Sequence, residues 1–240
     1  MYSGIAIALA WPETLCKQAG AWYDSPLKWL GINKSNYYKV GHAAVVLIEK
    51  STGACHYFDF GRYHSPYQHG RVRSSFTDHD LEMKTRAAFN EQGGLMNYNE
   101  ILWELHNNES CHGNGNLHAS YCEVDFNKTF RKTNQMQLSS PIPYGPFLPH
   151  GTNCSRFVNT IIVSGSPKWY YKLILAYPKT LSPTPIGNVK ALSNYAVIGV
   201  TCNSPVLKPT LSTIPLSNEI AMFPARQIRN DNNMAIPCDY

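Results

Sequence analysis

Runs of apolar residues in the first half of the chain predict an antiparallel sheet. Ile5–Trp11 is a short apolar run of the kind that forms a buried strand. The clearest hairpin has one strand at His42–Glu49, a polar turn at Lys50–Gly53 and a return strand at Ala54–Phe60. A further strand is predicted from His118 to Phe126. These runs favour a sheet with buried strands.

Helical spacing of apolar residues predicts helices between and after these strands. Residues 78–90 suggest a helix capped by Asp78, with Gly93-Gly94 as its end. Two more helices are predicted over 98–106 and around 127–137. The mixture of strands and helices indicates an α+β fold.

The composition sets the size and the class of the protein. The chain has 240 residues, of which 43% are hydrophobic and 15% charged, enough for one domain over residues 1–240. From Pro183 the chain is rich in Pro, Asn, Ser and Thr, so 183–240 is interpreted as a loop-rich C-terminal extension. The net charge of +5 is too small and too scattered for a nucleic-acid partner. The sequence leaves the oligomeric state open.

No integral membrane segment is predicted. Ile5–Trp11 is too short to span a bilayer and lacks the basic start of a secretory signal. The prediction is a cytoplasmic protein, or one exported by a route that needs no cleavable signal peptide. The seven cysteines are an odd number without a C-x-x-C pair, which favours a reducing compartment and leaves a Cys202–Cys238 pair open.

Cys154 is the predicted nucleophile. A proline-rich loop over 141–149 leads to Asn153, a good helix N-cap, and an apolar helical face follows up to Gly165. A thiol in the first turn of a helix lies near unpaired N–H groups and the positive end of the helix dipole. Both favour the thiolate and can hold an oxyanion.

His42, at the mouth of a buried strand, is the predicted base for this thiol. With the turn at Lys50–Gly53, the hairpin register puts Asp59 and Tyr57 on the face of His42. Asp59 is the preferred orienting residue, because a carboxylate fixes the tautomer and stabilises the imidazolium. A register shifted by one residue puts His56 there instead. A salt bridge from Asp59 to Arg62 or Arg71 is the structural alternative.

Three residues just before or beside the nucleophile are predicted to bind substrate: Tyr144, Phe147 and Asn153. A second cluster has the residue types of a zinc site, namely Cys111, His112, His118 and Cys122. Its spacing fits no common zinc module, and Gly113-Asn114-Gly115 is more simply a tight turn. No metal and no cofactor are predicted. The sequence also lacks a phosphate-binding glycine loop, H-E-x-x-H and G-x-S-x-G.

These motifs resemble the circularly permuted papain-like hydrolases of the NlpC-type superfamily. Asn153-Cys154 with Phe157-Val158 matches a box of the lecithin:retinol acyltransferase group, and Gly41-His42 matches its histidine strand. The segments at 57–63 and 145–147 resemble an uncharacterised bacterial family.

The resemblance implies a permuted papain-like fold with Cys154 as nucleophile and His42 as base. The chain departs from the acyltransferase pattern at Arg156, where the box often has His, and in the spacing of its third polar residue. The predicted activity is hydrolysis of an amide through a thioester, with a peptide or cell-wall substrate. The alternatives are a lipid-directed acyltransferase or phospholipase using the same residues, and a catalytically silent binding module.

Overall fold

Seven antiparallel strands form the main sheet of the protein. The computed structural model describes residues 2–17, 33–34, 37–38, 41–148, 150–177, 180 and 182–199. The strands of this sheet are β1 Gly4–Trp11, β5 His42–Glu49, β6 Cys55–Gly61, β7 His69–Arg73, β8 Leu117–Val124, β9 Ile142–Pro143 and β10 Ser193–Ile198. Their spatial order is β10-β8-β1-β5-β6-β7-β9. Three two-residue strands form a small second sheet: β2 Cys16–Lys17, β3 Asn33–Lys34 and β4 Tyr37–Tyr38.

Five α-helices accompany the sheet in the described residues. They are α1 Tyr98–Asn107, α2 Phe126–Leu138, α3 Cys154–Ser164, α4 Trp169–Ala176 and α5 Pro185–Lys190. Three of them, α2, α3 and α5, contact one face of the central strands. The opposite face packs against α1 and the segment before it. None of these helices combines the length and the apolar character that a membrane crossing requires.

The central strands are buried on both faces, which explains their unbroken apolar sequences. All eight residues of β1 are buried, and successive side chains enter two separate cores. In β5, Ala43, Val45 and Leu47 enter the core with α3, whereas Ala44 and Val46 enter the core with α1. The sheet therefore separates two layers of side chains, and a residue's parity along its strand decides which layer it joins.

Phe157 anchors α3 to the sheet, so its removal should destabilise the fold. Its side chain is fully buried and stacks on Phe60 with ring centroids 6.2 Å apart. We expect Phe157→Ala to lower the free energy of unfolding by about 3–5 kcal/mol, because a buried aromatic leaves a cavity. Phe76→Ala is the control: that ring is 85% exposed, and its loss should cost less than about 0.5 kcal/mol. Urea unfolding measures both, and equal losses would contradict the assigned core.

Most predicted elements are present, but residues 78–90 do not form the expected α-helix. Only a 3-10 turn at His79–Leu81 appears, and the chain is then irregular. Glu104 accepts from the backbone N–H groups of Lys84 and Thr85, and Ala87 N–H donates to the Gly53 carbonyl. These tertiary hydrogen bonds replace the helical ones that the apolar spacing suggested.

The residues after Pro183 contribute to the main core. Thr184 caps α5 by accepting from Gly187 N–H, and Val189 in that helix is fully buried. β10 then pairs with β8 at the edge of the sheet. Cys202, Cys238 and the rest of the predicted C-terminal tail lie outside the described residues.

Candidate active site

His42 is held at the first position of β5 by its neighbours on both sides. The preceding Gly41 has φ +77°, and a Cβ there would lie 2.9 Å from the Trp11 carbonyl, so only glycine fits. Trp11 pairs with His42 across the strands and stacks on its ring, with centroids 5.8 Å apart. The imidazole is 3% exposed. Its position is therefore fixed by the end of the sheet and by an aromatic ring.

Asp59 lies beside His42 because of the hairpin register. Asp59 pairs with Ala44 and Tyr57 pairs with Val46, which is the register predicted from the turn. The parity of the strand puts Asp59 on the same face as His42, and His42 Nε2 lies 3.2 Å from Asp59 Oδ2. Asp59 is fully buried. This contact occupies one ring nitrogen of His42 and leaves Nδ1 for another partner.

Arg73 on the next strand binds both oxygens of Asp59. Its Nε lies 3.0 Å from Oδ1 and its Nη2 lies 2.5 Å from Oδ2, a side-on fork. Nη2 also donates to the Ser110 carbonyl at 3.0 Å. The guanidinium carbon lies 3.6 Å from the centre of the Tyr63 ring, and Arg73 is only 4% exposed. Asp59 and Arg73 thus form a buried ion pair.

The Asp59 carboxylate is stabilised in its charged form despite its burial. Burial raises the pKa of Asp59, but the nearby Arg73 charge and the hydrogen bonds from His42 and Arg73 outweigh burial and lower it well below the ordinary value. Two phenols, Tyr57 at 3.2 Å and Tyr63 at 3.4 Å, also donate to Oδ2. Asp59 is therefore an anion held in one orientation toward His42.

Cys154 approaches His42 from the other layer of the fold. It is the first residue of α3, and the extended Asn153 caps that helix by accepting from Arg156 N–H at 2.8 Å. Its thiol is 6% exposed and packs in the core shared by α3 and the sheet. The Cys154 side chain lies close enough to His42 to raise the pKa of its imidazole. The two layers meet here because His42 is the end residue of its strand.

His42 is predominantly an imidazolium at neutral pH in this setting. Burial lowers the pKa of His42, whereas the hydrogen bonds to Asp59 and Cys154 and their charges raise it, with a net result of about 9. A cationic imidazole beside a thiol favours the thiolate, the nucleophilic form of cysteine. The arrangement can therefore supply a nucleophile at Cys154, a proton donor at His42 and a carboxylate at Asp59 that holds the imidazole.

The part of the chain that contains the site residues matches a known protein family. A family model described as "Type VI secretion system effector TseH-like" matches residues 6–170. This chain belongs to the TseH-like family of type VI secretion system effectors. The matched range contains His42, Asp59, Arg73 and Cys154, so the whole cluster lies inside the family's region.

A solved structure of the same description has a similar fold. The crystal structure of the type VI secretion system effector TseH matches with a TM-score of 0.50 and 18% identity, covering 78% of this chain and 86% of that chain. At this identity the likeness concerns the fold alone. A comparison with curated proteins gave no match.

The other predicted residues of this TseH-like chain lie in different surroundings. His56 lies on the opposite face of β6 from Asp59, with its ring centroid 5.9 Å from that of Phe126 and 5.2 Å from that of Phe130, so it does not meet His42. The Tyr144 ring stacks on Phe60 with centroids 5.8 Å apart, and the Arg62 guanidinium lies 5.3 Å from the centre of the Tyr144 ring. The Phe147 side chain is 41% exposed.

The four residues considered for a metal do not converge. Cys111 belongs to the core beside α1, whereas Cys122 belongs to the core beside α3. His118 Nδ1 lies 2.6 Å from the Tyr195 hydroxyl. Within the described ranges, no three His, Cys, Asp or Glu side chains are grouped as metal ligands.

Arg73 is the site residue that the sequence reasoning missed. Arg71, one of the two partners considered for Asp59, binds Asp78 instead through both of its terminal nitrogens. Arg73 faces Asp59 directly across β6 and β7. The alternating apolar Val72 between two arginines was the available signal for a strand here.

Proposed function

We propose that this TseH-like effector is a cysteine-dependent amide hydrolase with Cys154 as nucleophile, His42 as general acid and base, and Asp59 as the residue that orients His42. The observation that carries the proposal is the contact between His42 and Asp59, with 3.2 Å between Nε2 and Oδ2, beside a Cys154 side chain that raises the pKa of the same imidazole. The order of His strand, carboxylate strand and Cys helix supports the permuted papain-like class. No cofactor takes part in the proposed reaction.

The reaction would begin with attack of the Cys154 thiolate on the carbonyl carbon of the amide. The His42 imidazolium, whose Nε2 is held by Asp59, gives its Nδ1 proton to the amide nitrogen as the C–N bond breaks. The amine departs and leaves a thioester on Cys154. Neutral His42 then takes a proton from water, the hydroxide attacks the thioester, and the C–S bond breaks to restore the thiolate.

The first turn of α3 provides donors for the oxyanion of each tetrahedral intermediate. Asn153 occupies two of the helix-start donors: its side chain accepts from Arg156 N–H and its carbonyl from Phe157 N–H. The N–H groups of Cys154 and Ser155 precede these in the turn, where helix geometry supplies no intrahelical acceptor. They are the proposed oxyanion donors.

The proposed substrate is a peptide amide, and bacterial cell wall is the source we favour. The support is the resemblance to NlpC-type hydrolases together with membership in an effector family. Digestion of purified peptidoglycan sacculi, with mass spectrometry of the released fragments, identifies the bond. New amine and carboxyl ends within a peptide stem are the expected products, and release of fatty acid from lipid vesicles would favour the lipid-directed alternative.

Selective alkylation of Cys154 tests the proposed active site without knowledge of the substrate. At pH 6 an ordinary thiol, with a pKa of about 8.5, is almost entirely protonated and reacts slowly with iodoacetamide. We expect Cys154 to react there at least tenfold faster in the wild type than in His42→Ala, because the imidazolium stabilises the thiolate. Peptide mapping by mass spectrometry identifies the modified cysteine.

The raised pKa of His42 predicts how the difference in alkylation rate changes with pH. Because the pKa of His42 is raised to about 9, the imidazolium persists through neutral pH and is lost above about 9. The rate difference between wild type and His42→Ala should therefore be largest at low pH and shrink above pH 9. Turnover should fall over the same range as the proton donor is lost. An inert Cys154 at pH 6, with a folded protein, would instead support the binding-module alternative.

A further inference from the structure

A cavity of about 390 Å³ lies beside the start of α3, next to the proposed active site. Its wall includes Thr152 and Arg156, which stand two residues before and two residues after Cys154. Ser139, His150 and Thr160 provide further polar groups. The volume is within the range of small-ligand sites. Nothing in the mechanism above uses this cavity.

Arg156 is positioned to present its guanidinium to a ligand here. It is half-buried, and its Nη1 donates to the Pro146 carbonyl at 3.0 Å, with the Gly145 carbonyl at 3.5 Å. Among the described residues both acceptors bond to Nη1, which leaves the Nε–Nη2 edge for a ligand. That edge has the planar geometry that pairs with a carboxylate through two parallel hydrogen bonds.

The wall of the cavity has one arginine and no acidic side chain. Between Asp125 and Glu219 the sequence has nine Lys or Arg residues and no Asp or Glu. Every residue of the cavity wall belongs to that acid-free stretch, so no carboxylate of the wall competes for Arg156. Arg62, over the Tyr144 ring at 5.3 Å, adds a further cation beside the same loop. An anion that enters the cavity is therefore attracted by Arg156, and no carboxylate of the wall weakens that attraction.

The positions of Cys154 and Arg156 on α3 indicate where the cavity lies relative to the proposed reaction. Residues two apart on a helix point to opposite sides, so Cys154 faces the sheet while Arg156 faces the 145–152 loop. Because Thr152 and Arg156 flank Cys154 along the chain, a group bound at Arg156 is expected to lie near the cleaved amide in the substrate.

We infer that this cavity is a subsite for a carboxylate of the substrate peptide, with Arg156 as the residue that determines specificity for acidic peptides. The inference rests on the proposed function for its location along the substrate. It also predicts a binding preference that is measurable without cleavage. Free phosphate, like a carboxylate, is an anion that a guanidinium binds through two hydrogen bonds, so the experiment below separates phosphate from peptide carboxylate.

Calorimetric titration of Cys154→Ala protein at low salt tests the inference. The probes are an acidic cell-wall stem peptide and the same peptide with its carboxylates amidated. We expect the acidic form to bind at least tenfold tighter, and Arg156→Gln in the same background to remove the difference. Arg156→Lys should keep part of it, because the charge remains without the fork. Arg131→Gln, an exposed arginine of α2 outside the cavity wall, is the matched control and should keep the full preference.

The outcomes separate the two proposals. Equal binding of both peptides, or an unchanged preference in Arg156→Gln, would overturn the carboxylate subsite. Displacement by inorganic phosphate, without any effect of peptide amidation, would also overturn it and indicate a phosphate site. If the binding preference holds while wild-type Cys154 proves inert to iodoacetamide at pH 6, the proposed catalysis fails and the subsite stands.

Discussion

Replacement of Cys154 by alanine should abolish turnover while the fold remains. In the proposed reaction the thiol forms the only covalent bond to substrate, and removal of a nucleophile of this kind costs about 10⁴-fold or more in kcat. The substitution removes only the sulfur atom at the start of α3. It should disturb packing little, because the Asn153 cap and the other apolar residues of the helix are unchanged. Fragment release from sacculi measures the activity, and urea unfolding measures the stability.

Cys122 provides the matched control for that substitution. It is another free, buried cysteine, 3% exposed, and it packs in the same core as Cys154. Cys122→Ala should therefore cost similar stability and leave turnover near the wild-type rate. If Cys154→Ala kept full activity, the thiol mechanism would be untenable, whatever the contacts of His42.

Arg73→Met should destabilise the protein strongly because it removes the guanidinium that binds both oxygens of the buried Asp59 carboxylate. Breaking one side of a buried ion pair costs about 3–5 kcal/mol, and here the remaining charge is fully buried. The loss of the guanidinium should also raise the pKa of Asp59, since the Arg73 charge is the main cause that lowers it. The free energy of unfolding, measured at pH 7, should fall by that amount.

The double variant Asp59→Asn with Arg73→Met distinguishes the contribution of this ion pair to stability from its contribution to activity. Removing both charges eliminates the unpaired ion, so most of the lost stability should return. Activity should not return, because the neutral amide of Asn no longer supports the His42 imidazolium. Recovery of turnover together with stability would show that Asp59 and Arg73 act only as a structural pair.

The sequence predicted the core of the site because its geometry is local. Lys50–Gly53 closes a short hairpin, so the register of β5 on β6 follows from the turn and fixes which residues share the face of His42. The helix start at Cys154 was equally readable, since the Asn153 cap and the apolar spacing are signals within one segment.

The rest depended on contacts between distant segments. The segment at 61–77 is mostly polar and basic, so the strand that brings Arg73 opposite Asp59 was not predicted. Residues 78–90 have a helical apolar spacing, but hydrogen bonds to Glu104 and to the Gly53 carbonyl hold the backbone extended. The pairing of Cys154 with His42 was inferred from the need of a thiol for a base and from the resemblance, because no short-range signal specifies it.

The separation of His42, Asp59 and Cys154 along the chain has a consequence for folding. His42 and Asp59 are 17 residues apart on one hairpin, a contact with low loop-closure entropy that can form early. The contact of Cys154 with His42 closes a much longer loop, which contains β7, β8 and α2, so we expect it to form later. A partly folded chain thus holds the acid–base pair without its thiol. Reactivity of Cys154 at pH 6 should consequently vanish in the same denaturant transition as the whole fold, and it would report complete folding.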